Sequence, residues 1–400
     1  MMMRNTKNYK TMSKIIIIEL CNYKDYPTGG HLSFALHMLG AFANERKLVG
    51  ISTEEDCEVG KWNTKTIDNA TFEYFNVANV KKNAKRPLIP GRVTAYFQIK
   101  KYIKKVLETE YDHIVIQTPE VLFAMPKKHL SKTCLIMPGV ENPLKISRYK
   151  FAQKLAKIYD WFFFRKAKHA SVIMAAADTN AINEFIDRSK GNILPERVRQ
   201  FPTRYDANIF KLKDKEELRV YYNIEKENLL YVTVGRLNWF KGWKFMIDCI
   251  EKLNNPLAKL IFIGDGEDEQ KIKDYITERK LENQVELIGR KSLDVIADYL
   301  NMADAFIMGS YKEGWSTSLV EATACGTPCI VTEFSSASDM IEDGVNGWVI
   351  KERNEEEFTR RLRDVLILDK TALHKKANEI SVLSVQNMRE QFMIKTGWNE

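Results

Sequence analysis

The chain has 400 residues, 44% of them hydrophobic and 28% charged, with a net charge of +8. That length calls for two or three domains, and the apolar fraction is ordinary for a soluble globular protein. No apolar run approaches the ~20 residues of a membrane span, and the longest early run, 15–18, is too short for a signal-peptide core.

The six cysteines, Cys21, Cys57, Cys134, Cys249, Cys325 and Cys329, show no Cys-x-x-Cys spacing. They read as free thiols in a reducing compartment. The charge divides unevenly. Residues 1–200 carry 33 Lys+Arg against 19 Asp+Glu, a net of +14, and residues 201–400 carry 28 against 34, a net of −6. Two halves of opposite balance imply two surfaces with different partners.

Residues 1–14 are polar and read as a ragged start. Residues 14–20 read as a buried strand running into Pro27-Thr28-Gly29-Gly30, and 32–44 as a helix. Short apolar runs at 113–117, 133–137 and 171–175 predict buried parallel strands. The second half alternates likewise: strands at 229–234, 260–263, 285–288, 305–308 and 329–331, helices at 244–253, 270–280 and 292–302. Such alternation predicts an α/β fold, two parallel sheets with helices on both faces. The boundary falls near Phe201-Pro202. It gives an N-terminal unit over 1–205, a C-terminal unit over 206–372 and a tail over 373–400 that packs back toward the first.

The richest stretch reads Glu-Gly-Trp-Ser-Thr-Ser-Leu-Val-Glu from Glu313 to Glu321. Ser316, Thr317 and Ser318 open helices, 319–324 can form a short one, and Gly326 can end it. One carboxylate then precedes the helix and the other lies about one turn inside it. A helix N-terminus also suits a phosphate. Upstream stand Val-Gly-Arg-Leu-Asn-Trp-Phe-Lys-Gly (Val234 to Gly242), Ile-Gly-Asp-Gly (Ile263 to Gly266) and Leu-Ile-Gly-Arg (Leu287 to Arg290), and downstream Asp-Gly-Val-Asn-Gly (Asp343 to Gly347).

In this order, over roughly 200–350, these segments resemble retaining glycosyltransferases of the GT-B fold, the glycogen-synthase-like group called family 4. The resemblance implies two Rossmann-like domains facing across a cleft, with a nucleotide-sugar donor in the second and the acceptor in the first. It implies that Gly235, Arg236 and Lys241 hold the donor diphosphate. Glu313 with Gly314 would then lie near the transferred sugar, Ser316, Thr317, Ser318 and Leu319 at the distal phosphate, and Glu321 on the ribose. Leu287, Ile288 and Gly289 would meet the base through backbone groups. Glu313, Arg236 and Lys241 are the catalytic candidates, because fixed cations stabilise a leaving diphosphate most in the transition state. Gly29, Gly30 and His31 form a candidate acceptor or phosphate loop. Met137-Pro138 stands where many members carry a histidine, so His31 or Glu141 takes the acceptor side. No Asp-x-Asp sits at a strand end, and no obligatory metal or cofactor is expected.

Residues 145–168 hold eight basic residues, one acid and seven aromatics. On a helix, Phe151, Leu155, Ile158, Phe162 and Phe163 form an inward stripe, and Lys150, Lys154, Lys157, Trp161, Arg165 and Lys168 a basic one. Residues 92–105 are a second basic amphipathic stretch. These features predict contact with an anionic membrane surface at the cytoplasmic face. The reading is a hexosyltransferase acting on a glycan or lipid-linked acceptor in polysaccharide or lipopolysaccharide biosynthesis. A sugar-nucleotide epimerase on the same fold and a nucleic-acid-binding protein are the alternatives, the latter without a supporting motif.

Overall fold

A computed structural model describes residues 14–27, 30–42, 46–54, 56–67, 70–82, 91–145 and 153–398, the side chains of Gly30 and His31 excepted. The chain divides into two compact units, Met1–Phe201 with Met388–Glu400, and Pro202–Asn387. Of the tail expected over 373–400, residues 373–387 group with the second unit and 388–400 with the first.

The first unit is built on an eight-stranded sheet. Its strands are β1 (Ile15–Ile18), β2 (Arg46–Ser52), β3 (Trp62–Ile67), β4 (Ala70–Asn79), β5 (His113–Ile116), β6 (Thr133–Met137), β7 (Val172–Ala175) and β8 (Val198–Gln200). Its helices are α1 (Gly30–Ala41), α2 (Gly91–Val106), α3 (Pro119–Ala124), α4 (Lys127–Leu130), α5 (Ala156–Ala167) and α6 (Thr179–Arg188). The strand order is β3-β4-β2-β1-β5-β6-β7-β8. Every pairing is parallel except the edge pair of β3 with β4, which departs from the all-parallel expectation. The all-apolar β1 is buried along its whole length, as a central strand covered on both faces must be. His113 opens β5 and stacks on Trp398, ring centroids 4.0 Å apart, a packing role.

The face of α5 is not the one its pattern predicts. Ala156, Phe163, Phe164 and Ala167 are buried. Leu155, Ile158 and Phe162, placed on an inward stripe, stand 44%, 54% and 55% exposed. Seven aromatics crowd the segment, so apolar residues exceed what one helix face can bury, and packing on α3 selects the face. Phe151 and Lys150 lie outside the described residues.

The second unit holds six parallel strands. They are β9 (Leu229–Val234), β10 (Ala258–Ile263), β11 (Val285–Leu287), β12 (Ala305–Met308), β13 (Cys329–Thr332) and β14 (Gly347–Ile350). Its helices are α7 (Lys215–Tyr221), α8 (Trp243–Leu253), α9 (Glu269–Glu278), α10 (Leu293–Met302), α11 (Thr317–Ala324), α12 (Ala337–Met340), α13 (Glu355–Asp364) and α14 (Lys370–Glu379). A last helix, α15 (Met388–Thr396), belongs to the first unit. The strand order β11-β10-β9-β12-β13-β14 reverses direction between β9 and β12. In doubly wound sheets, ligands bind outside the carboxyl ends of the strands at such a switch point. All six cysteines are buried and free. Among the described residues, no helix is long and apolar enough to cross a membrane.

Candidate active site

The chain leaves β9 at Gly235, whose φ of +154° lies at the edge of the range open to side chains. Gly264, leaving β10, comes so close that a Cβ there would lie 1.9 Å from the Gly235 carbonyl oxygen. Only glycine allows two strand ends to meet this tightly. Beyond Gly235, Asn238 caps a 3-10 turn over Trp239–Lys241, its side chain accepting from the Lys241 N–H. The turn ends at Gly242 in the left-handed region (φ +68°), where a Cβ would lie 1.7 Å from the Gly309 carbonyl oxygen. Gly309 immediately follows β12. The glycines thereby pull the loops after β9 and β12 together at the switch point.

This closeness brings two predicted residues into contact. Lys241 Nζ donates to Glu313 Oε1 at 2.6 Å, and Ser310 Oγ donates to the same oxygen at 2.6 Å. The pair is mostly covered, with side chains 29% and 14% exposed. Arg353, itself left-handed at φ +52°, donates to the Gly309 carbonyl at 2.5 Å and lies 3.9 Å from the Tyr311 ring. Burial lowers its pKa. Sequence reasoning missed Ser310, Asn238 and Arg353. The signal for Asn238 was present, as an N-cap residue before a short helical turn; nothing in sequence spacing marks Arg353.

Arg236 points elsewhere. Its Nε donates to Glu267 at 3.0 Å in a pair whose side chains are 69% and 57% exposed. Such a pair contributes only about 0–1 kcal/mol, so an incoming anion can displace the carboxylate. A small cavity lined by Gly235, Arg236, Asn238 and Lys241 lies against the end of β9.

The helix at Glu321 forms as its N-cap predicts. Ser316 Oγ accepts from the Leu319 N–H at 3.4 Å, and Ser318 Oγ lies 3.3 Å from Ser316 Oγ. The Ser316 hydroxyl is buried in capping, while Gly314, Thr317 and Ser318 keep partly open surfaces. Leu319 is fully buried core. Glu321 is partly exposed, and among the described residues no hydrogen bond or ion pair reaches its carboxylate. Desolvation pushes its carboxyl up to about 8. Hydroxyl or N–H donors from a ligand would favour the ionised form and draw its pKa back down.

At the end of β11, the Ile288 N–H donates to Phe262 and the Gly289 carbonyl accepts from Gly264, so part of this backbone is spent on the sheet. Gly289 is left-handed at φ +70°, and a Cβ there would meet nothing within 4 Å. Gly29 lies outside the described residues; Gly30 and His31 open α1. Among the described residues, no group of three His, Cys, Asp or Glu side chains could hold a metal ion.

Residues 214–381 match the family Glycosyl transferases group 1. The match falls inside the second unit, Pro202–Asn387. An uncharacterized glycosyltransferase of Methanocaldococcus jannaschii is 26% identical over 282 residues, 68% of this chain and 66% of that protein. The amylovoran biosynthesis glycosyltransferase AmsK of Erwinia amylovora is 33% identical over 132 residues, 31% of this chain and 32% of that one. The chain spans about half to two thirds of the first curated relatives it matches.

Solved structures agree on the fold, that of GT-B glycosyltransferases. Sucrose-phosphate synthase from Thermosynechococcus elongatus superposes with a TM-score of 0.74 at 15% identity, covering 95% of this chain and 97% of that one. Anabaena HepE, solved with UDP and glucose, gives 0.70 at 18% identity, covering 97% of this chain and 100% of that one.

Proposed function

We propose that the protein transfers a sugar from a nucleoside-diphosphate donor, with retention at the anomeric carbon, to a glycan or lipid-linked acceptor. The observation that carries this reading is the Lys241–Glu313 pair, mostly covered, at the β9/β12 switch point of a glycosyl transferases group 1 domain. Lys241 supplies a fixed cation where a leaving diphosphate gathers charge, and that interaction is strongest in the transition state. Arg236 swings from Glu267 to the same diphosphate. Glu313, held by Ser310 and Lys241, places its charge beside the transferred sugar and stabilises positive charge developing at the anomeric carbon. The unpartnered carboxylate of Glu321 accepts from ribose hydroxyls, and the open end of β11 takes the base.

The first unit takes the acceptor. The basic stretch of sequence 145–168 meets an anionic membrane at the cytoplasmic face, and the pathway is polysaccharide or lipopolysaccharide assembly. The family match leaves the epimerase and nucleic-acid readings without support.

The test is a thermal-shift panel of UDP, GDP, ADP and their sugars. One nucleotide should stabilise the wild type, and the shift should shrink in Lys241→Ala. No shift with any nucleotide would sink the reading. Because protein cations neutralise the leaving group, turnover should persist in excess EDTA.

A further inference from the structure

The first unit carries a groove that donor chemistry does not use. Helix α3 lies against both α2 and α5. From the flanking helices, Val93, Phe97, Leu155, Ile158, Trp161 and Phe162 stand 43%, 64%, 44%, 54%, 55% and 55% exposed. They wall an open groove of about 970 Å³. Scattered exposed apolar residues need no explanation, but a contiguous patch of this kind marks a binding surface.

The groove is electropositive as well as apolar. Arg92, Lys127 and Arg165 line it, and the Arg165 guanidinium lies 4.9 Å from the Trp161 ring centre. Its one acid, Glu120, is pushed up by burial and sits 3.6 Å from Arg92.

The groove does not end blindly. Arg92 and Tyr159 line it and also a second cavity of about 120 Å³ beside Gln117, Met137 and Pro138, at the carboxyl ends of β5 and β6. Gln117 is only 4% exposed, and its Oε1 has no hydrogen-bond partner among the described residues. A buried acceptor left unpaired costs free energy that a ligand's hydroxyl or N–H would recover.

Apolar walls, a cationic rim and a polar end chamber fit one kind of occupant, an anionic amphiphile. We propose that the α2–α5 groove holds the hydrocarbon chain of an anionic lipid acceptor, its polar head directed to the chamber beside Gln117. The word acceptor rests on the transferase reading; the ligand chemistry does not. A membrane surface touching the same helices needs neither a groove nor a chamber, and the two occupants separate experimentally.

The probes are butyl, octyl and dodecyl phosphate below their micelle concentrations, titrated calorimetrically into the full chain. Affinity should rise about fourfold for each added methylene until the groove is full. The double variant Phe97→Glu/Ile158→Glu should lose this chain-length dependence, and Arg92→Glu, at the cation that lines both groove and chamber, should weaken dodecyl phosphate more than neutral dodecyl maltoside. These side chains are exposed, so circular dichroism and the nucleotide thermal shift should match the wild type. Chain-length-independent affinity, or unchanged dodecyl phosphate binding in the double variant, would overturn the proposal. So would pelleting with anionic vesicles, lost in the double variant, when monomeric dodecyl phosphate does not bind. Chain-dependent binding without any nucleotide shift would sink the transferase reading and leave the groove assignment standing.

Discussion

Among the described residues, each unit holds an unpartnered carboxyl pushed up to about 8, Glu321 in the second and Glu19 in the first, and the two units differ in the pairing of their other polar groups. In the second, Asp304 accepts from Arg219, Lys215 and the Leu230 N–H, each at 2.7 Å, and Lys241 and Glu313 satisfy each other. In the first, Glu19 follows β1 at 3% exposure with Oε2 unpartnered, and Gln117 follows the neighbouring β5 in the same condition. Burial, then the charge of Glu120, pushes the Glu19 carboxyl up to about 8. Paired charge is pre-organised for a ligand of fixed chemistry. Orphaned polar groups at strand ends hold binding capacity in reserve, at a cost in stability.

The largest expected effect breaks the pairing at the switch point. Lys241→Ala should lower turnover by roughly 10²–10³ while leaving the fold intact. Wild-type turnover from folded variant protein would show that this cation is not at the reacting phosphate.

A comparable effect should appear in stability at the close approach beneath that pair. Gly242→Ala places a Cβ in collision with the Gly309 carbonyl at a left-handed φ. It should destabilise the protein by about 2–4 kcal/mol, read from urea midpoints. An unchanged midpoint would mean the loops after β9 and β12 separate without penalty.

In the first unit, Glu19 makes stability depend on pH. Folded Glu19 keeps its proton to about 8, whereas the unfolded carboxyl releases it near 4.5. The folded state therefore binds more protons between those values, and wild-type stability falls as pH rises through that window. Glu19→Gln cannot titrate. It should match the wild type near pH 4 and exceed it by on the order of 2–4 kcal/mol at pH 8. A pH-independent difference would show that Glu19 is ionised and solvated.

The smallest effect is a control. Glu267→Gln removes the exposed partner of Arg236 and should change stability by less than about 1 kcal/mol. Nucleotide affinity should hold or rise, since Arg236 loses a competitor; a marked fall would place Glu267 itself in the donor site.

Much of this was legible in the linear chain. The runs at 133–137, 229–234 and 305–308 coincide with β6, β9 and β12, because a central parallel strand is apolar on both faces and short runs bounded by turns expose it. Ser316 before 319–324 announced a capped helix, since capping depends only on neighbours within one turn. The antiparallel β3–β4 edge was not legible, because strand direction depends on which strand a segment meets. Nor was the face of α5, where Leu155, Ile158 and Phe162 satisfy the same periodicity as buried residues yet face outward. Ser310 and Arg353 became visible only once the loops after β9 and β12 were side by side.

By itself, then, the sequence determined the alternation of strands and helices, the short apolar strands, the helix cap at Ser316 and the order of motifs around Gly235 and Glu313. All are set by local sterics, burial patterning and hydrogen bonds within a few residues. Only the tertiary structure decided that Lys241 meets Glu313 across 72 positions of chain, that Arg236 turns to Glu267, and that α5 leaves three apolar residues in the open. Those outcomes depend on which surfaces the sheet brings within a few ångströms, and contact between distant segments is set by packing the whole core at once.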